Sequence, residues 1–320
     1  MNWPALMLSA VLLATPVAAQ QMGDPSFRPV VASPAYSGEG PMIQLDAAHG
    51  SVQTLEGRYA GFAALVRADG YRIRAGEQPL DAAGALDGVD VLVISNAVRP
   101  AREGDPSAFT DSEIEALDRW VRGGGSLLLA VDHAPYGSAN ETLGRVLGIG
   151  MGKGYAFRLE DGQATSQLRF STEAGTLGRH PILNGRNPDE TIRRVLSFTG
   201  QSLTGPAQAT VLMALEPTDH EAADAPTLRE INRRLRGGEA PETVLAEEAR
   251  PALQAQGLAF DHGRGRVVVL GEAGMLTAQI IRSGDPSRED FAFGLQTSGH
   301  DDQQFALNVL HWLSRLEGLE

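Results

Sequence analysis

The chain contains no cysteine in 320 residues. That excludes a disulfide, a lipid-anchor cysteine and any thiol nucleophile at once. Lysine is almost missing as well. Lys153 is the only one, so nearly all positive charge is arginine. The net charge is −13 and no basic stripe offsets it. A phosphate backbone would be repelled by such a surface, so nucleic acid is not an expected partner. The sequence has no internal repeat, no H-E-x-x-H and no G-x-S-x-G elbow. Beyond its first residues it has no apolar run long enough to cross a membrane. GIGMGKG, residues 148–154, resembles a phosphate loop in composition. It lacks the Ser or Thr after the lysine and follows a helix rather than a strand, so it is not read as a nucleotide site.

What is there begins with MNWPALMLSAVLLATPVAA. A mostly apolar core, then Pro16, then small residues up to Ala19, read as a signal peptide over 1–19 cleaved near Ala19. The expectation is a soluble protein, periplasmic or secreted, with no membrane span after cleavage. Residues 20–40 are rich in Pro, Ser and Gly and read as a flexible linker. Residues 41–320 read as a single domain.

The domain opens with alternating strand and helix signals. Met42 to Asp46, Tyr71 to Arg74, Val91 to Ile94 and Leu127 to Val131 are strand-like runs. Tyr59, Phe62, Leu65 and Val66 recur at helical spacing. Thr110 and Glu113 form a T-x-x-E capping box, and Gly123-Gly124-Gly125 ends the helix it opens. A further helix is expected from about Ala139 to Leu147. The order β-α-β-α implies an α/β fold, a three-layer parallel sheet with helices on both faces. Residues 152–262 read as a β-rich middle elaboration, within which 221–250 form a charged surface insertion with some helix. The core pattern returns in Arg266 to Leu270. The closing helix places Phe305, Val309, Trp312 and Leu313 on one face.

In open parallel sheets ligands bind beyond the carboxyl ends of the strands. The residues that follow each strand are therefore the candidates. They are Asp46 and His49 in LDAAHGS, Asn96 in ISNA, and Asp132 and His133 in AVDHAP. Glu272 in GEAGM and His300 in TSGHDD follow the late strand. Asp132, His133 and Glu272 are the catalytic candidates. One chemistry is a metal site, with His49, His133, His300 and Glu272 as ligands for zinc or a similar divalent ion that activates water. The other is metal-free, with His133 as base and Asp132 or Glu272 orienting it. Asn96, Gln201, Gln279 and Arg186 are candidate substrate contacts. Each has a plainer reading: Asp132 as a cap, the glutamines as structural hydrogen bonders, Arg186 as a surface arginine. His180, His220, His262 and His311 read as structural or solvated.

These segments also carry a resemblance. LDAAHGSVQTLEGRYAGFAALVRADGY, FTDSEIEALDRWVRGGGSLLLAVDH, HPILNGR, FTGQSL, GEAGMLTAQ and FALNVLHWL resemble the DUF4350-type proteins of the class I glutamine amidotransferase-like superfamily. Helix, triple glycine, then a strand ending in Asp-His is also similar to its trehalose-utilisation-like branch. The resemblance implies a flavodoxin-like core. In the amidotransferases a cysteine stands on the turn after the core strand, and a His and Glu follow a late strand. Here those places hold Asp132–His133 and Glu272, so the thiol mechanism of glutamine hydrolysis is excluded. The expected function is an exported small-molecule hydrolase of unassigned substrate. The alternatives are a non-catalytic periplasmic ligand-binding module and an envelope interaction scaffold.

Overall fold

The computed structural model describes residues 20–99, 104–282 and 291–318. The signal-peptide expectation falls on residues 1–19, outside them. Five parallel strands form the centre: β1 (Met42–Asp46), β2 (Arg72–Gly76), β3 (Val91–Ser95), β4 (Ser126–Ala130) and β5 (Gly265–Leu270). Their spatial order is β2-β1-β3-β4-β5, and every neighbouring pair is parallel. This is the doubly wound order of flavodoxin-like sheets. Every residue of β3 and of β4 is buried. Strands covered on both faces must be apolar throughout, which is why VLVIS and SLLLA carry no alternation. At the edge, β2 is mostly exposed and reads RIRAG. Its arginines keep that edge from pairing with another chain.

Helices α1 (Ala60–Ala68), α2 (Asp111–Arg122), α3 (Tyr136–Val146) and α4 (Asp302–Leu313) cover the sheet. The strand period sorts β4 between two cores. Leu128 and Ala130 face one side with Phe62, Leu65, Phe305 and Val309 of α1 and α4. Leu127 and Leu129 face the other with Ile114, Leu117 and Leu143 of α2 and α3. The capping box forms as its spacing predicts. Glu113 N donates to Thr110 Oγ1 at 3.3 Å, and Thr110 N donates to Glu113 Oε2 at 2.9 Å. Removing such a cap typically costs about 1 kcal/mol.

The core is parallel as expected, and beyond β5 the sheet continues antiparallel. The strand Ala255–His262 lies antiparallel on β5, joined to it through Gly263 at φ +65°. Only a residue tolerating positive φ makes so short a return. Thr210–Ala214, Leu203–Thr204 and Gly150–Met151 extend the sheet further, giving nine strands. All of these extra strands but Gly150–Met151 come from the middle elaboration. The rest of that elaboration builds a separate four-stranded sheet, in which His220–Ala222 pairs with both Ala249–Pro251 and Tyr155–Glu160. The charged insertion contains two helices, Ala225–Arg236 and Pro241–Glu248, whose Ile231, Leu235 and Val244 share a small core with Phe157.

The segment after residue 19 is docked and is not a flexible linker. Gln20–Gly23 is a strand paired antiparallel with Ala278–Arg282, which in turn pairs with Phe291–Gly294. Phe27, Val31 and Tyr36 pack on the main core, and Ala35 N donates to Asp69 Oδ1 at 2.8 Å. Composition pointed to a linker because Pro, Ser and Gly dominate. Three apolar anchors and a free sheet edge outweigh that.

Asp302, at the start of α4, is 2% exposed, and its Oδ1 accepts a bond from Leu196 N at 3.0 Å. Burial pushes its carboxyl up to about 8; the Leu196 N–H opposes this and the Asp301 charge adds to it. A carboxyl that keeps its proton longer when folded stabilises the fold below its unfolded pKa. That contribution is lost as pH rises through about 8. Asp302→Asn keeps the acceptor for Leu196 N and cannot ionise. Its melting temperature relative to the wild type is therefore expected to rise between pH 5 and pH 9, as read by thermal denaturation across that range. A constant difference would show that Asp302 does not titrate there.

Candidate active site

The carboxyl ends of β3, β4 and β5 meet around one carboxylate. β3 runs into Asn96, which turns the chain at φ +48°, a conformation asparagine tolerates better than most residues. Its side chain reaches across to the next strand. Asn96 Nδ2 donates to Asp132 Oδ2 at 2.6 Å, and Asp132 N donates to Asn96 Oδ1 at 2.9 Å. From beyond β5, Ala273 N donates to Asp132 Oδ1 at 2.6 Å. Gln201 lies beneath and is fully buried. Its Nε2 donates to the carbonyls of Val131 and Asp132 at 2.9 and 3.0 Å, while its Oε1 accepts from Lys153 N at 2.9 Å. Gln201 therefore positions the Asp132 backbone.

Glu272 stands beside Asp132 and is 2% exposed. It accepts from Gly274 N at 2.5 Å and from Met275 N at 2.7 Å, capping the short turn Gly274–Leu276. Gly200 of FTGQS lies against it. A Cβ there would sit 2.6 Å from Gly271 O and 2.8 Å from Glu272 Cβ, so only glycine permits the approach. Burial pushes the Glu272 carboxyl up to about 8, the Asp132 charge adds to this, and the backbone N–H groups oppose it. The Asp132 pKa is raised too, by burial first, against the bonds from Asn96 and Ala273 and the charges of His133 and Arg58. Asp132 is the member on which the Arg58 guanidinium acts, so it ionises first and Glu272 keeps its proton near neutral pH.

The pair opens on a cavity of about 270 Å³. Asp132, Glu272 and Gln279 line it, with Arg58 and Gln53 from the loop before α1 and Ser166, Gln167 and Thr199 from the elaboration. Phe198, Phe291, Phe293 and Ile281 form its apolar wall. Tyr59 braces the base. Ser95 Oγ donates to Tyr59 Oη at 2.8 Å, and Tyr59 Oη donates to Ala273 O at 3.1 Å. Burial pushes the Tyr59 hydroxyl above its usual range, so it stays a neutral donor.

The histidine candidates do not join this pair. The His133 ring lies flat on Tyr155 with centroids 3.7 Å apart, and its Nδ1 bonds Ala134 O at 2.8 Å. It is therefore not oriented by Asp132 or Glu272. His49 is buried elsewhere, with Nδ1 on Asp46 Oδ1 and Nε2 on Glu113 Oε1, both at 2.8 Å. His300 bonds the Ser298 carbonyl at 3.3 Å. Among the described residues, no group of three or more His, Asp or Glu side chains is arranged to hold a metal ion. The expected quartet of His49, His133, His300 and Glu272 is thus not assembled, and the donor set does not fit zinc. Arg186 is also accounted for elsewhere. It chelates Glu190 at 2.5 and 2.9 Å and donates to Ser33 O at 3.0 Å.

Arg58, Gln53, Gln167 and the phenylalanines escaped the sequence reading because none directly follows a core strand. Tyr59 was legible only as an apolar residue at helical spacing with Phe62, Leu65 and Val66. The signal that could have found part of the wall is the spacing of Phe291 and Phe293, which puts both rings on one face of a strand.

No family model and no curated protein matches the chain. Among solved structures it is similar to the N-terminal domain of mmIFT52, at 14% identity and a TM-score of 0.56. That match covers 85% of this chain and 97% of the other. A ThuA-like protein from Parabacteroides merdae is also similar, at 11% identity and a TM-score of 0.44, over 86% of this chain and 90% of that one. So is a glutamine amidotransferase from Thermotoga maritima, at 12% identity and a TM-score of 0.40, over 75% and 78%. At these identities the likeness is one of fold.

The Asp46–His49–Glu113 bridge is separate from the cavity lining and ties the turn after β1 to α2. Burial works against the His49 charge, but the bonds to Asp46 and Glu113 outweigh it and its pKa lies above the ordinary 6.5. Glu113 is held below the ordinary 4.5: burial opposes its charge, and the bonds from Thr110 and His49 prevail. The His49 contribution is complete below 6.5 and fades as pH rises through its folded value. The Glu113 contribution is complete above 4.5 and fades as pH falls through its own. His49→Ala is therefore expected to cost about 3–5 kcal/mol, with its largest effect between pH 4.5 and 6.5. Urea unfolding at several pH values measures this. A cost below about 1 kcal/mol at every pH would deny the bridge its structural role.

Proposed function

We propose that the protein is a small-molecule hydrolase that works by acid–base catalysis with the carboxyl pair Asp132 and Glu272. The observation that carries this is the pair itself. Glu272, buried, and Asp132, partly buried, face one cavity at the carboxyl edge of a doubly wound sheet, and their surroundings hold them in different protonation states. Ionised Asp132 takes a proton from water as the water attacks the substrate. Protonated Glu272 gives its proton to the leaving group. Asn96 and the Ala273 N–H fix the base, and Gln201 fixes the turn that carries it. Arg58 supplies positive charge where negative charge develops on the attacked group. His133 has no proton-transfer role in this scheme; its ring is stacked on Tyr155.

The reading places the chain with the amidotransferase-like proteins by fold and by the motifs that resemble the DUF4350-type group, with Asp132 where that superfamily keeps its cysteine. We further propose export with cleavage near Ala19 and a soluble product. No helix among the described residues is long and apolar enough to cross a membrane. A small molecule, not nucleic acid, is the proposed ligand.

A second reading has support from one observation. All four oxygens of the pair already accept bonds within the chain, from Asn96, Ala273, Gly274 and Met275. A pair committed to holding loops together fits a binding module that performs no reaction.

Turnover of a panel of esters, amides, glycosides and phosphate esters separates the two. The wild type is expected to hydrolyse at least one class, and Asp132→Asn to lose about 10²–10⁴-fold in kcat with its fold intact. Activity is expected to fall as pH rises past about 8, where Glu272 gives up its proton. If the panel gives no turnover that Asp132→Asn abolishes, the binding module stands instead.

A further inference from the structure

We infer that the cavity takes a small neutral ligand with a flat apolar group and an adjacent N–H donor, placed by Gln279 and the phenylalanine wall. This rests on the reading of the cavity as the substrate site. Gln279 is 1% exposed and lines the cavity. Its Nε2 donates to Thr277 Oγ1 at 2.7 Å. The Thr277 hydroxyl gives its own proton to Gly274 O at 2.6 Å, so toward Gln279 it can only accept. That fixes which end of the amide is nitrogen. The other end, Oε1, is buried with no partner among the described residues. A buried acceptor left without a donor is unfavourable, and a ligand N–H would satisfy it.

The apolar half of the site is equally specific. The rings of Phe198 and Phe293 have centroids 4.6 Å apart, and Phe291 stacks within 15° of the Phe293 plane at 6.1 Å. Such a wall receives a flat ring better than a branched chain. Arg58 and ionised Asp132, which also line the cavity, bring one charge of each sign to it. The cavity therefore has no net charge with which to select an ion. A space of about 270 Å³ limits the ligand to about one ring and its substituent.

The test is binding, which needs no turnover. N-Methylbenzamide and methyl benzoate have nearly the same shape, and only the amide carries an N–H. Their dissociation constants are measured by ligand-observed NMR or calorimetry on the full chain, on Gln279→Met and on Phe291→Ala. The wild type is expected to bind the amide about tenfold or more tightly than the ester. Gln279→Met is expected to bring the two within about twofold. Phe291→Ala, at a position 41% exposed and so safe for folding, is expected to weaken both alike. Equal binding of the two probes by the wild type overturns the inference. So does no binding of either up to the solubility limit, or a preference that survives Gln279→Met. If binding fails while the substrate panel still gives turnover lost in Asp132→Asn, the ligand class is wrong and the hydrolase reading holds. If binding succeeds and turnover is absent, the ligand class holds and the hydrolase reading fails.

Discussion

The structure depends on the carboxylate of Asp132. One side chain ties the ends of three parallel strands: its own β4, β3 through Asn96 and β5 through the Ala273 N–H. Strand ends in a parallel sheet leave backbone groups without ladder partners, and nothing in the ladder itself closes them. Asp132 closes them with charge-assisted bonds of 2.6 Å. The same bonds bring Glu272, two residues' reach away on the β5 side, next to Asp132. The raised Glu272 pKa is a consequence of that packing, since burial and the Asp132 charge both act against its ionisation.

A polar cluster of this kind is a conflict that the fold must contain. Two carboxyls share a largely buried site, and only one proton is needed to relieve the repulsion. The surrounding residues divide the work. Gln201, Tyr59 and Gly200 hold the backbone and let the turns approach each other. The hairpin of Ala278–Arg282 and Phe291–Gly294 supplies the apolar wall, and the strand Gln20–Gly23 buttresses it from outside. The segment that composition marked as a linker thus supports one wall of the candidate site.

The histidines illustrate how a pattern misleads. Each candidate stood after a strand, as ligands and bases do. His49 instead neutralises two carboxylates between β1 and α2, and the His133 ring is spent on stacking with Tyr155. A buried imidazole is as useful for joining acidic groups as for binding metal, and residue type alone does not distinguish the uses. Asp132, Glu272 and Asn96 were legible because strand ends in a doubly wound sheet converge by topology. Gln201 was legible as a site residue, but its role is positioning. Arg58 and the phenylalanine wall were not legible, because the loop before α1 and the late hairpin meet the sheet edge only in three dimensions.

The sequence by itself determined the parallel core. Fully apolar runs, a capping box and a triple glycine leave little freedom, because each is a local signal whose physics acts within a few residues. It also determined that no thiol chemistry occurs, since no cysteine is present. Tertiary structure decided the antiparallel extension of the sheet, the docking of residues 20–40 and the composition of the cavity. It decided, too, that Asp132 pairs with Glu272 rather than with His133. The antiparallel extension rests on shorter-range pairings, such as Leu203 with Ala255, but the docked segment, the cavity and the carboxyl pair rest on contacts more than a hundred residues apart, such as Gln20 with Arg282 and Asp132 with Ala273. Only the packed chain sets the burial that selects among partners so distant.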